Sequence, residues 1–112
     1  MVALGINSSD PGEVAPLIAA TLKVLFVPHE SSFRGGKFQR AETSHGTIIL
    51  QCNRDGSAEG EPFEKSWPID RLVLYFDGLN DTNWEPYINA LSSFTNLQPT
   101  KLSSQESQNS NP

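Results

Sequence analysis

The chain has very little cysteine and no long apolar run. Cys52 is the only cysteine among its 112 residues, so neither an internal disulfide nor a four-cysteine zinc site can form. No apolar run reaches the roughly 18 residues of a membrane-spanning helix. The first residues, MVALGINSSDPGE, lack the basic start and the small-residue cleavage site of a secretory signal. These features predict a protein of a reducing, cytoplasmic compartment with no membrane insertion.

Positive charge is also scarce. Eight Lys and Arg residues oppose 13 Asp and Glu residues, which gives a net charge of -5. An acidic chain has little general affinity for nucleic acid or anionic membranes, so nucleic acid is not the expected partner. The last residues, QPTKLSSQESQNSNP, are nearly free of apolar side chains and cannot offset their ordering entropy. We predict one domain over residues 1–97 and a disordered tail over 98–112.

The first half of the chain contains a helix start followed by an ambiguous apolar run. DPGE at 10–13 combines a capping Asp, a Pro at the first helical position and an early Glu. Pro16 then argues against a long helix, because a proline ring clashes with the carbonyl group four residues earlier. Periodicity does not distinguish a buried helix from a buried strand in the following run. We predict a helix near 10–20 and a strand near 21–27, ended by Pro28.

A hairpin is indicated by two extended runs, 37–43 and 47–53, on either side of a short turn sequence. We expect His45-Gly46 to be the central pair of the turn, with glycine supplying a positive φ. That register places Ala41 opposite Leu50 on the buried face, and it predicts that Cys52 is a small buried side chain.

The last two elements have the clearest patterns. RLVLYF at 71–76 is apolar on both faces, which predicts a central strand. A helix near 83–95, capped by Asn83, would place one apolar stripe on the sheet: Trp84, Ile88, Leu91 and Phe94. The predicted fold class is α+β. It has a small, mostly antiparallel sheet with strands near 21–27, 37–43, 47–53 and 71–76, packed by the C-terminal helix.

The basic residues gather in FRGGKFQR, residues 33–40. Aromatic and arginine side chains are the common anchors of protein interfaces, and exposed cations attract acidic surfaces. We therefore predict a partner-binding site for another protein with an acidic surface, formed by Phe33, Arg34, Lys37, Phe38 and Arg40. An ordinary loop that leads into a strand would use the same residues.

Two other interpretations of charged segments remain open. Arg34, Gly35, Gly36 and Lys37 could form a small-anion or nucleotide-binding loop, although they lack the spacing of a P-loop. The acidic connection 55–64 is a second candidate contact site, with Phe63 and Trp67 expected to anchor it to the body of the protein.

DGLNDTNWE at 77–85 is rich in oxygen ligands that suit calcium. The same residue types also form turns and helix caps. The order of the acids does not match an EF-hand, so we expect a turn and a cap.

Candidates for catalysis are few. His29, His45 and Cys52 are the only imidazole and thiol groups. The hairpin would separate His45 from Cys52 by several residues of strand at roughly 3.4 Å each, and no pair of these residues has zinc-site spacing. We predict a small, non-catalytic accessory or regulatory protein that binds another protein, with no cofactor and no metal. A small enzyme of unknown type is the third class, and the sequence leaves the oligomeric state open.

Overall fold

A computed structural model describes residues 1–31, 36–54, 61–94, 97 and 99–102. This part of the chain confirms the predicted α+β class. The strands are β1 (Val2–Ile6), β2 (Val27–Ser31), β3 (Gly36–Thr43), β4 (Gly46–Cys52), β5 (Leu72–Gly78) and β6 (Thr100–Leu102). The helices are α1 (Pro11–Leu22) and α2 (Glu85–Leu91), and a 3₁₀ helix (Asp81–Trp84) leads into α2.

The six strands form one sheet in the order β2-β3-β4-β5-β1-β6, and every neighbouring pair is antiparallel. β5 lies between β4 and β1, as its apolar faces predict. β2 and β6 are the two edge strands.

One face of the sheet, the helix face, packs against α1, α2 and the 3₁₀ helix. It contributes alternate residues of four strands: Val2, Leu4, Ile6, Ala41, Ile48, Leu50, Leu72, Leu74 and Phe76. Trp84 is fully buried there, with its ring centroid 5.2 Å from that of Phe76. The predicted packing of this tryptophan between helix and sheet is therefore confirmed.

The opposite face also has a buried apolar cluster, formed by Ala3, Phe38, Ile49, Val73, Tyr75 and Leu102. Segment 61–71 lies over it. Trp67 packs against the cluster, and its indole N–H donates to the carbonyl oxygen of Leu72 at 3.0 Å. A β-carbon on Gly5 would lie 2.5 Å from the Trp67 ring, so only glycine fits beneath the indole.

The predicted strand at 21–27 is wrong except at its last residue, and Pro28 does not end it. α1 begins as predicted, with the Asp10 carboxylate accepting from the N–H groups of Gly12 and Glu13, but it runs through Pro16 to Leu22. Pro16 and the Gly12 carbonyl four residues earlier both lie on the exposed side of the helix, where water can satisfy the carbonyl. The strand itself begins only at Val27 and includes Pro28.

The sequence analysis missed both β1 and β6. β1 pairs with β5 on one side and with β6 on the other. Thr100–Leu102 lies inside the predicted disordered tail, so the tail prediction is wrong for these residues. Leu102, one of few apolar residues in that stretch, is buried against Ala3 on the opposite face. The remainder of the predicted tail, 103–112, lies outside the described residues.

The hairpin register differs from the prediction by two residues. Thr43 pairs with Gly46, so Ser44-His45 is the central pair of the turn and Ala41 lies opposite Ile48. A shift of two residues preserves the faces, and Ala41 is buried as expected. Gly46 (φ 143°) is the first residue of β4, where a β-carbon would collide with the Asp77 carbonyl oxygen. The glycine therefore permits close strand pairing with β5.

The C-terminal helix is shorter than the predicted 83–95. Asn80, not Asn83, caps the preceding 3₁₀ helix, since its side-chain oxygen accepts from the Thr82 N–H at 3.0 Å. α2 then ends at Leu91. Phe94 is half-buried and still packs against the helix-face cluster.

We expect Gly5→Ala to lower the free energy of unfolding by about 1–3 kcal/mol, because the added methyl group overpacks against Trp67. Urea denaturation measures this loss. In a Trp67→Leu background the ring is gone and the same alanine should cost much less. Equal costs in both backgrounds would contradict the contact between Gly5 and Trp67.

Candidate functional site

At the end of the sheet formed by β2 and β3, which we call the β2–β3 corner, the described part of the chain exposes two aliphatic side chains that line one groove. α1 ends at Lys23 in a left-handed conformation (φ 58°), and this turns the chain toward the edge of the sheet. Leu25 is then 77% exposed and Val27 46% exposed. These two side chains line the same groove and form a small apolar patch, the kind of surface that larger contact sites extend.

The backbone of this edge is poorly suited to strand addition. The two-residue turn makes Thr43 and Gly46 a hydrogen-bonded pair. Along an antiparallel strand, successive residues direct their backbone hydrogen-bonding groups alternately to one neighbouring strand and to the other side. The backbone groups of Val27 and His29 therefore face β3, while those of Pro28 and Glu30 face outward. Pro28 has no N–H to offer a partner strand, which is a common protection of sheet edges. A partner at this corner would bind through side chains.

A groove of about 480 Å³ lies along the corner, lined by Leu25, Val27, His29, Arg40 and Glu42. Two of these residues are aliphatic and three are polar or charged. The imidazole ring of His29 stacks on Phe38 across the strand pair, with centroids 5.6 Å apart and planes 20° apart. The groove thus combines an apolar wall with one fixed imidazole and one guanidinium group.

Arg40 is held by a small hydrogen-bond network. Its Nε donates to Glu42 Oε2 at 2.7 Å, and the Thr47 hydroxyl donates to Glu42 Oε1 at 2.9 Å. The Arg40 hydrogen bond, followed by that of Thr47, holds the pKa of the Glu42 carboxyl below its ordinary value. These contacts orient the guanidinium group beside the groove at little cost in side-chain entropy on binding.

The predicted binding residues have different environments. Arg40 lines the groove and Lys37 is exposed, opposite Glu30 in the strand register. Phe38 is only 9% exposed and belongs to the buried cluster of the opposite face, so most of its ring is covered by the protein itself. Phe33 and Arg34 lie outside the described residues, as does Gly35. Gly36 (φ 107°) has open space around its α-carbon.

The acidic connection is described only from Glu61 onward, and residues 55–60 lie outside the described residues. Glu64 has a structural contact, because its carboxylate accepts from the Tyr75 hydroxyl at 2.7 Å. Trp67 anchors the segment as expected. The part of this segment that the structure describes therefore serves to cover the sheet.

The segment 77–85 forms the expected turn and cap. The Asn80 side-chain oxygen accepts from both the N–H and the hydroxyl of Thr82. Within the described ranges, no three His, Cys, Asp or Glu side chains lie close enough to hold a metal ion.

The imidazole and thiol groups lie in separate places. His29 is at the β2–β3 corner, and His45 is at the hairpin turn, edge-on to Trp84 and Tyr87 at centroid distances of 6.2 and 6.1 Å. Cys52 ends β4 and is exposed, which corrects the prediction that it is buried. Its neighbours Gln51 and Asn53 are buried, and the Asn53 side chain binds segment 61–71.

Comparisons with protein-family models, with curated proteins and with solved structures found no match to this chain. α1 has 12 residues, and no helix in the described part of the chain has the length and apolarity needed to cross a membrane.

Sequence reasoning missed Leu25 and Val27 as surface residues. The run from Leu17 to Val27 is nearly all apolar, and it was assigned to the core as a whole. Pro28 was the available signal, because a proline within a strand indicates an edge, and edge positions are the ones that remain exposed.

We expect Arg40→Gln to raise the pKa of Glu42 toward its ordinary value, and Thr47→Val to raise it less. Carboxyl chemical shifts followed through an acid titration measure both. Because the folded pKa is depressed, the contribution of this pair to stability is present above the unfolded pKa and is lost as the pH falls through the folded pKa. An unchanged titration in Arg40→Gln would contradict the Arg40–Glu42 contact.

Proposed function

We propose that this protein is a non-catalytic accessory or regulatory protein that binds another protein at the β2–β3 corner. The observation that supports this most directly is the exposure of Leu25 and Val27 beside a groove with Arg40 in its wall. Arginine is enriched at the energetic centres of protein interfaces, and neighbouring apolar contacts exclude water from such a centre. Because Pro28 interrupts the outer edge, the partner contacts side chains and does not extend the sheet.

The chemistry of the partner follows from the groove. Its aliphatic wall favours an apolar anchor from the partner, and that anchor supplies most of the affinity. Lys37 faces Glu30 and Arg40 binds Glu42, so these four charges sum to zero. Of the basic residues in the predicted site, an acidic partner is therefore attracted mainly by Arg34. Electrostatic attraction then sets the association rate more than the affinity.

The compartment is part of the same proposal. Cys52 is exposed and has no second cysteine with which to pair. An exposed single thiol in an oxidising compartment would form bonds between molecules. We therefore assign the protein to a reducing, cytoplasmic compartment.

Val27→Asp should weaken partner binding by at least about tenfold, because a carboxylate replaces an apolar contact in the groove. The fold should remain intact, since Val27 is half-exposed and lies opposite Arg40 on the same face. Leu79→Asp is the matched control, because Leu79 is fully exposed on a turn outside the corner. The measurement is affinity capture with all three proteins, followed by calorimetry on each purified partner.

Arg40→Gln tests the charged wall in the same assay. It should slow association with an acidic partner, and the difference should shrink as salt is raised. Glu42→Gln should not slow association. If every captured protein binds Val27→Asp as tightly as it binds the natural chain, the corner is not the contact site.

A further inference from the structure

We propose that the outward face of α1 is a dimer interface, at which a second copy of this chain packs with its own α1 antiparallel. A surface helix normally presents charged and polar side chains to water. The centre of the α1 surface is instead Pro16, Leu17 and Ala20, all exposed. Leu17 is 40% exposed, and Glu13 is the only charged residue within the helix.

The shape around the helix suits the approach of a second helix. Gly12, Pro16 and Ala20 are small or compact, so two helices can come close along this stripe. A groove of about 330 Å³ lies between α1 and Phe26, and another of about 190 Å³ lies between α1 and Tyr87. No charged side chain lines either groove. α1 is thus a ridge between two uncharged depressions, which is the surface that ridges-into-grooves packing requires.

Charge identifies the occupant as a second copy. Glu13 lies at one end of the exposed stripe, and Lys23 lies at the other, just past the last helical residue. Within the described part of the chain neither side chain has an ion-pair partner. Two helices related by a two-fold axis that passes close to the exposed Leu17, about midway between Glu13 and Lys23 along the helix, place each Glu13 beside the other copy's Lys23. The stripe on one copy is therefore complementary to the same stripe on the other copy, as an isologous interface requires.

The opposite arrangement is disfavoured by the same residues. A parallel pair would bring Glu13 against Glu13 and Lys23 against Lys23, and it would also align the two helix dipoles. The antiparallel pair opposes the dipoles. Each copy carries a net charge of -5, but this repulsion acts at long range and is largely screened at physiological ionic strength.

This interface meets the groove at the β2–β3 corner at Leu25, which lines both that groove and the one between α1 and Phe26. Leu17, Glu13 and Lys23 do not line that groove, and Val27 and Arg40 do not lie on the α1 stripe. Substitutions on α1 therefore test the dimer without altering the proposed partner site.

The test is sedimentation equilibrium of the full chain at physiological salt, over a roughly hundredfold range of concentration. We expect a concentration-dependent dimer whose dissociation constant rises at least about tenfold in Leu17→Asp. The matched control is Leu79→Asp, another leucine-to-aspartate change at an exposed position. It should leave the dimer unchanged. Thermal melting followed by circular dichroism confirms that each variant is folded.

A charge exchange tests the antiparallel geometry. Glu13→Lys and Lys23→Glu should each weaken the dimer, because each places like charges together at both ends of the interface. The double variant should recover the affinity of the natural chain, since Lys at 13 then meets Glu at 23. A chain that remains monomeric overturns the proposal. So does a dimer that tolerates Leu17→Asp, or one that the double charge exchange does not restore.

Discussion

The covering of the opposite face of the sheet depends on the hydrogen bonds of one buried side-chain amide, that of Asn53. The two N–H groups of its Nδ2 donate to the carbonyl oxygens of Glu64, Trp67 and Pro68, at 3.0, 2.8 and 3.2 Å. Its Oδ1 accepts from the Glu64 N–H at 2.7 Å. The Asn53 backbone N–H donates to the carbonyl of Arg71. One fully buried residue at the end of β4 thus provides hydrogen-bond partners for backbone groups at both ends of segment 61–71. This segment has no strand pairing of its own to supply them.

The position of that segment decides which surfaces remain available. With Trp67 seated over Gly5, the opposite face of the sheet is covered across β1 and β5, while α1 and α2 cover the helix face. Besides Met1 and Leu79, exposed large apolar side chains then remain on the outside of α1 and at the β2–β3 corner. Both proposals, the partner site at the corner and the dimer along α1, concern these two uncovered surfaces. They differ in chemistry, because the corner has a charged wall and the α1 stripe is charged only at its ends.

Sequence patterns predicted the elements that are determined by neighbouring residues in the chain. Asp10 and Pro11 fix the start of α1, and the two apolar faces of β5 place it inside the sheet. The apolar stripe predicted for the C-terminal helix includes Trp84, which is buried at the end of the 3₁₀ helix that precedes α2. Features that depend on distant contacts were missed. β1 becomes a strand by pairing with β5, some 70 residues later. Gly46 looks like a turn residue, but its role comes from the Asp77 carbonyl on another strand.

The features of the candidate site divide in the same way, into those visible in the local sequence and those that depend on distant contacts. The basic stretch 33–40 directed attention to Arg40, because its charge is visible in the sequence. The sequence does not show that Phe38 is buried or that Leu25 and Val27 are exposed, since this depends on β2 being the edge strand. Asn53 gave no signal at all, because an asparagine next to Arg54, Asp55 and Gly56 has the composition of a surface turn.

The most direct test of this account is the free energy of unfolding of Asn53→Asp, measured by urea denaturation against Asn89→Asp on the exposed side of α2. Aspartate has nearly the shape of asparagine, but its carboxylate would face three carbonyl oxygens without an N–H to donate. The account predicts a loss of at least about 3 kcal/mol for Asn53→Asp, because a buried charge and several buried polar groups are left unpaired. For Asn89→Asp it predicts a change within about 0.5 kcal/mol. A loss no larger than that of the control would show that Asn53 does not hold the cover of the opposite face.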